Sequence, residues 1–163
     1  MNVSLVVSDS SPVRCLAELG LLPLLLRMYT RVVIPPRVLA ECKAPRKAIS
    51  EPALNAIIQL EVVVPSDQAA VRALQHTLHG GESEAIELAI QLHADWLLVD
   101  DLKARQVAKA KHLNVIGVVG VLMAARSNGH ILSISPLLRR LQMEQEFWIA
   151  PHLLSIAAEG DPP

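Results

Sequence analysis

The feature that most constrains the fold is a series of short apolar runs, each followed by a stretch with a helical pattern. The runs are rich in Val, Ile and Leu, show no clear alternation of apolar and polar residues, and lie at residues 3–7, 31–34, 61–65, 96–99 and 115–116. Strands of this kind are typical of a parallel sheet that is covered on both faces. We therefore predict an α/β protein with three α/β/α layers and a central parallel sheet of about five strands, in the common order 3-2-1-4-5.

The length of 163 residues suits one domain, and 52% hydrophobic residues exclude intrinsic disorder. We expect the domain to cover residues 1–150. Residues 151–163 are expected to form a C-terminal tail, mobile over 159–163.

Composition excludes several classes of function. Aromatic residues make up 2% of the chain and the net charge is −1, which argues against base stacking and against a global positive field for nucleic acid. Cys15 and Cys42 are too few for a disulfide framework and are expected to be small buried hydrophobes. The N-terminus has no signal-peptide pattern, and Pro23 interrupts the longest apolar stretch. We expect a cytoplasmic protein without a membrane segment.

Acidic residues lie where the predicted strands end. Ligands of such sheets bind beyond the carboxyl ends of the strands, where the strand order reverses, here between the first and fourth strands. Asp9 follows the first strand, and Asp100 and Asp101 follow the fourth. Glu41, on the helix after the second strand, and Glu82, at the start of the helix leading into the fourth, can reach the same edge.

Helical periodicity separates Glu82 from its neighbour Glu84. At about 100° per residue, Glu82 falls on the apolar side of its helix with Ala85 and Ile86, whereas Glu84 falls on the polar side with Glu87. We therefore favour Glu82 as the functional acid.

Each of these acids also has a structural interpretation. Asp9, or one of Asp100 and Asp101, can cap a helix, a first-turn Glu82 is stabilised by the helix dipole, and Glu41 can be solvated. However, two carboxylates about 6 Å apart repel by about 3 kcal/mol at a dielectric constant of about 20. A cluster therefore needs a cation or raised pKa values, and an all-oxygen ligand set favours Mg²⁺ or Mn²⁺.

Four segments carry a family resemblance: VVSDSSP at 6–12, VIPPRVLAE at 33–41, GESEAI at 81–86 and LLVDD at 97–101. They resemble the PIN-domain family of metal-dependent nucleases and, within it, the VapC-type toxins of toxin–antitoxin pairs. The resemblance extends from the first strand to about Gly129. The chain departs from the family pattern at Glu82, where Asp is commoner, at Ser11 in place of Asn, and at Val99 in place of Thr.

The resemblance implies a ribonuclease that hydrolyses RNA phosphodiester bonds with Mg²⁺ or Mn²⁺. Placing the family pattern on this chain without gaps assigns the catalytic acids to Asp9, Glu41, Glu82 and Asp101, with Asp100 beside them as a further metal ligand. It also implies an antitoxin protein as partner and a homodimer. The Leu-rich stretch 16–26 is hard to account for within one small domain and could serve either partner.

Cations near the predicted site are candidates for contact with RNA phosphates. Lys103 and Arg105 follow Asp101 at the start of one helix, and Arg14 follows Asp9. An ordinary solvated surface is the alternative for all three.

Two other functions stay open at this point. One is a catalytically inactive PIN-like module that binds nucleic acid or protein. The other is an α/β phosphohydrolase with Asp9 as nucleophile, although that chemistry usually places a second Asp where Ser11 stands.

Overall fold

The computed structural model describes residues 4–44 and 48–162. Its strands are β1 (Leu5–Ser8), β2 (Arg31–Ile34), β3 (Glu61–Val62), β4 (Trp96–Leu98) and β5 (Val115–Ile116). They form one five-stranded sheet in the order β3-β2-β1-β4-β5, and all four pairings are parallel. The predicted strand order is therefore confirmed, and β1 is the central strand.

Helices connect the strands and continue beyond the last one. They are α1 (Ser10–Glu18), α2 (Leu22–Met28), α3 (Pro36–Lys43), α4 (Glu51–Ile57), α5 (Gln68–Gln75), α6 (Gly80–Gln91), α7 (Leu102–Ala110), α8 (Val118–Ser127), α9 (Ser135–Glu144) and α10 (Pro151–Glu159). None of the helices in the described ranges is both long and apolar enough to cross a membrane.

The sheet is covered by helices on its two faces. Fully buried Val7, Val33 and Leu97 on one face pack in a single apolar cluster with residues of α5, α6 and α7. Among the helices in the first half of the chain, α1 packs against α2, α3 and α4, and α2 packs against β2. This arrangement is the predicted three-layer α/β/α fold, and burial on both faces explains why β1 and β2 lack alternation.

The Leu-rich stretch of the first two helices belongs mostly to the core. Leu16, Leu22 and Leu25 are at most 2% exposed, and only Leu26 reaches 50%. The stretch is therefore accounted for within the fold and does not by itself indicate a partner surface. Cys15 and Cys42 are buried free thiols, as predicted.

The edge strand β3 is shorter than the predicted run 61–65, and its flanking Val64 is 62% exposed. Asp67 caps α5, because its carboxylate accepts a hydrogen bond from Ala70 N–H at 2.9 Å. The Gly80–Gly81 pair lies inside the first turn of α6.

The described chain divides after Gly117 into two compact units, the second comprising α8, α9 and α10. Within this second unit, residues 151–159, which were expected to belong to a C-terminal tail, form α10. Asp161 then accepts hydrogen bonds from Ile134 N–H and Ser135 N–H, both at 2.7 Å, and from Arg126 Nη1 at 2.9 Å. One carboxylate therefore joins the end of the chain to the start of α9 and to α8.

The pKa of Asp161 follows from these contacts. Partial burial raises it, but the hydrogen bonds from the Ser135 and Ser133 side chains and from the backbone of Ile134 and Ser135 outweigh burial. The pKa is therefore held below its ordinary value of 3.8.

We expect Asp161→Asn to lower the melting temperature by several degrees at pH 7, because an amide cannot supply the charge that these donors stabilise. Since the folded pKa is depressed, the contribution is complete well above pH 3.8 and is lost as the pH falls through and below that value. Circular dichroism melts between pH 3 and 7 measure it, with Glu159→Gln, an exposed carboxylate on α10, as control. A deficit in the Asp161→Asn protein that does not shrink on acidification would contradict this.

Candidate functional site

Asp9 lies directly after the central strand and is almost fully buried. Its N–H donates to Leu98 O at 2.9 Å, which continues the pairing of β1 with β4, and the residue is 4% exposed. It stands at the N-cap position of α1, yet its side chain makes no capping hydrogen bond. Among the described residues, no hydrogen-bond partner reaches the buried Oδ1 atom. Capping therefore does not explain this carboxylate.

Burial and neighbouring charge raise the pKa of Asp9 from 3.8 to about 7. Loss of water is the largest cause, and a hydrogen bond with the Ser10 backbone acts in the opposite direction. The negative charges of Glu82, Glu41 and Asp100 raise the pKa further. Acids from four separate segments of the chain thus lie close enough to influence one another.

Glu41 reaches the start of α6 from α3. Its Oε1 atom accepts a hydrogen bond from Gly81 N–H at 2.9 Å, and its side chain is 32% exposed. A Cβ atom on Gly81 would overlap the Glu41 carboxylate. The absence of a side chain at Gly81 therefore allows this close approach.

Glu82 and Glu84 have different surroundings on the same helix. Glu82 Oε2 accepts a hydrogen bond from His79 N–H at 3.0 Å, and the residue is half-buried. Its pKa is raised by burial and by the charges of Asp101 and Glu41, against the lowering effect of the His79 backbone. Glu84 Oε2 instead accepts from Arg37 N–H at 2.9 Å, at the start of α3. Glu84 thus joins two helices, and its side of α6 faces α3 rather than only water.

The two acids after β4 also differ. Asp101 is exposed and caps α7 by accepting a hydrogen bond from Ala104 N–H at 2.8 Å. Asp100 is half-buried, and a Cβ atom on Gly117 would lie 2.6 Å from its Oδ1. The charge of Asp100 acts on Asp9, and that of Asp101 acts on Glu82.

The acids share one edge of the sheet, but in the described part of the chain no three His, Cys, Asp or Glu side chains are already arranged to hold a metal ion. Glu41, Glu82 and Asp101 each accept a hydrogen bond from a helix N–H group instead. The donor set still fits a hard divalent cation, because all its ligands are oxygens and the buried Asp9 Oδ1 lacks a hydrogen bond.

The predicted cations occupy three different environments. Arg14 is 8% exposed and donates to Cys42 O at 3.4 Å and Ala48 O at 3.2 Å, so its expected contact with RNA is corrected to a structural role. Arg105 is half-buried, and its Nη1 donates to Val99 O at 2.9 Å. Lys103 is exposed on α7.

Sequence reasoning missed Arg37 and Gly81. Arg37 Nε lies 3.7 Å from Glu41 Oε1, and Gly81 supplies the N–H that fixes Glu41. The signal available for Gly81 was the Gly-Gly pair just before Glu82, since glycine marks places where another group approaches the backbone closely.

We expect Asp9→Asn to stabilise the protein by up to about 4 kcal/mol at pH 8 without divalent ions, because it removes a buried charge. Since the folded pKa is raised, the contribution of Asp9 to wild-type stability is greatest below pH 3.8 and falls as the pH rises to about 7, so the wild type loses stability relative to Asp9→Asn over this range. Thermal melts in EDTA across pH 4–8 should show this decline in the wild type and not in Asp9→Asn.

Asp67→Asn is the matched control, because Asp67 is an exposed helix cap and Asn caps helices equally well. Mg²⁺ or Mn²⁺ at pH 8 should raise the wild-type melting temperature more than that of Asp9→Asn. If the melting temperatures of the wild type and Asp9→Asn change equally with pH, the ionised Asp9 carboxylate does not destabilise the fold.

Comparison with known proteins agrees with the fold. A family model for the PIN domain matches residues 5–159. Among solved structures, the chain is similar to a PilT N-terminus domain protein, SSO1118, from the hyperthermophilic archaeon Sulfolobus solfataricus P2. The TM-score is 0.54 at 21% identity, over 74% of this chain and 92% of that one, so this likeness concerns the fold alone. A search among curated proteins finds no significant match. Because the family model spans nearly the whole sequence, the chain belongs to the PIN-domain family.

Proposed function

We propose that this protein is a divalent-metal-dependent endoribonuclease. The observation that carries the proposal is the buried carboxylate of Asp9, which lies at the carboxyl end of the central strand within the influence of Glu82, Glu41 and Asp100. Membership of a family with a nuclease-type fold supports it. Asp9, Glu41, Glu82, Asp100 and Asp101 are the proposed ligands of Mg²⁺ or Mn²⁺.

The chain's own residues would position the ion and the substrate. Backbone N–H groups at the start of α6 hold Glu41 and Glu82, while Asp9 and Asp100 come from the ends of adjacent strands. A bound ion would supply a water of lowered pKa and neutralise charge on the phosphoryl group. The reaction requires no protein nucleophile.

Asp100 and Asp101 have distinguishable proposed parts. Asp101 uses one carboxylate oxygen to cap α7, and its charge acts on Glu82. Asp100 acts on Asp9, the most buried acid. Asn at position 101 can still cap the helix, so the Asp101→Asn protein is expected to fold and to report only on the lost charge.

We expect single-stranded RNA to be cleaved in Mg²⁺ or Mn²⁺ and not in EDTA. Asp9→Asn and Glu82→Gln should lower kcat/KM on the order of a hundredfold or more, as expected when charge stabilisation at a reacting group is removed. Glu84→Gln is the matched control on the same helix and should retain most activity, because an amide oxygen can still accept the Arg37 N–H hydrogen bond that joins α6 to α3. Labelled oligoribonucleotides resolved on denaturing gels give the rates.

Each other outcome has its own meaning. RNA binding without cleavage at any divalent concentration would identify a catalytically inactive module. Hydrolysis of small phosphate esters with trapping by a phosphate-mimicking fluoride, in place of RNA cleavage, would identify a phosphohydrolase with Asp9 as nucleophile.

We further propose that the protein acts as the toxin of a toxin–antitoxin pair, on the basis of its resemblance to VapC-type toxins. Induced expression of the wild type in a bacterial host should arrest growth, whereas equal levels of Asp9→Asn should not, because arrest would require RNA cleavage. Optical density and immunoblots measure both. Arrest by the Asp9→Asn protein would show that toxicity is unrelated to the proposed site.

An antitoxin protein and a second copy of this chain are the proposed partners. Because most of the Leu-rich stretch is buried, homodimer formation rests on the resemblance alone. Light scattering of the purified chain measures the oligomeric state.

A further inference from the structure

Arg37 places a positive charge at the edge of the acidic site. It lies on α3 one turn before Glu41, and its Nε atom is 3.7 Å from Glu41 Oε1. Its side chain is 60% exposed, and its backbone N–H donates to Glu84 Oε2 at 2.9 Å. The residue is thus anchored to α6 through its backbone while the guanidinium remains open to solvent.

The Arg37 side chain lies across the first turn of α6 where Gly80 has no side chain. A Cβ atom on Gly80 would be 2.8 Å from Arg37 Nε and 3.2 Å from Arg37 Cγ. Gly80 therefore provides the space that this arginine occupies.

The ion pair between Arg37 and Glu41 is weak. An ion pair at 3.7 Å between two partly exposed side chains is well screened by water, so the guanidinium can exchange the carboxylate for another anion at little cost. An arginine also offers a planar pair of donors that matches a phosphate.

A polyanion approaching five carboxylates needs compensating positive charge. Arg14 is buried against backbone carbonyls, and Arg105 is half-buried with a hydrogen bond to Val99 O. Lys103 is exposed on α7, whereas Arg37 combines exposure with an ion-pair contact to one of the acids.

We propose that Arg37, seated over Gly80, is a substrate-binding residue that contacts an RNA phosphate next to the acidic site. This inference rests on the proposed function and adds to it a residue that binds the phosphate backbone of the substrate.

The test measures equilibrium binding of a fluorescent single-stranded oligoribonucleotide in Mg²⁺, with Asp9→Asn as the background in which cleavage is disabled. Adding Arg37→Ala should weaken binding about tenfold, the effect of losing one charge-assisted contact. It should also reduce the slope of log K against log salt by about 0.7, the value for one phosphate contact with a single strand. Arg37→Lys should retain part of the affinity.

Arg31→Ala is the matched control. Arg31 is a similarly exposed arginine at the start of β2, and its side chain pairs with Glu61. It therefore lies at the amino ends of the strands, whereas the acids lie at the carboxyl ends. It should leave both affinity and salt slope unchanged.

Gly80→Ala places a methyl group in the space that the Arg37 side chain occupies, without changing any charge. It should weaken binding less than Arg37→Ala does, and it should have no further effect once Arg37 is alanine. This dependence separates displacement of Arg37 from a general effect on α6.

Equal losses in Arg37→Ala and Arg31→Ala, or no loss in either, would overturn the inference. Failure of the Asp9→Asn background to bind RNA would overturn it as well. The proposed function is judged separately by wild-type cleavage in Mg²⁺ or Mn²⁺, which does not depend on the Arg37 result.

Discussion

The site depends on one electrostatic constraint, a carboxylate placed at the end of the central strand where water cannot reach it. β1 lies between β2 and β4, so Asp9 emerges at the middle of the sheet's carboxyl edge and is 4% exposed. Burial and the nearby acids raise its pKa to about 7, which means that its charge is costly at neutral pH. A domain is stabilised by only about 5–15 kcal/mol in total, so the free-energy cost of a charged Asp9 is a large fraction of its stability and indicates a functional role. A cation or a proton at Asp9 would offset it.

The start of α6 organises the other acids around this point. Its backbone N–H groups hold Glu41 and Glu82, and the missing side chains of Gly80 and Gly81 leave room for Arg37 and Glu41. Glu84, two residues along, is tied to α3 instead. The first turns of α6 thus place Glu82 at the site, whereas Glu84 holds α6 and α3 together.

A single acid plays a contrasting part in the C-terminal unit. Asp161 accepts hydrogen bonds from N–H and hydroxyl donors of Ile134, Ser135 and Ser133, so its pKa is lowered. Asp9 has burial and negative neighbours, so its pKa is raised. The two carboxylates show that donors and charges around a group, rather than burial alone, decide whether its ionised form stabilises the fold.

Sequence alone was sufficient to predict the sheet and to select candidate acids, whose roles stay predictions. Apolar runs without alternation are typical of strands buried on both faces, as β1 is, and an acid directly after such a strand lies at its carboxyl edge, as Asp9 and Asp100 do. Only the tertiary structure decided which partners the polar groups have. Arg14 turned out to be buried, Asp161 to be fixed, and Arg37 to stand beside Glu41, because each depends on contacts between residues distant in the chain or on space left by a glycine. Hydrophobic periodicity is a local property that a strand or helix carries with it, whereas hydrogen bonds and charge neighbours exist only once the elements have packed.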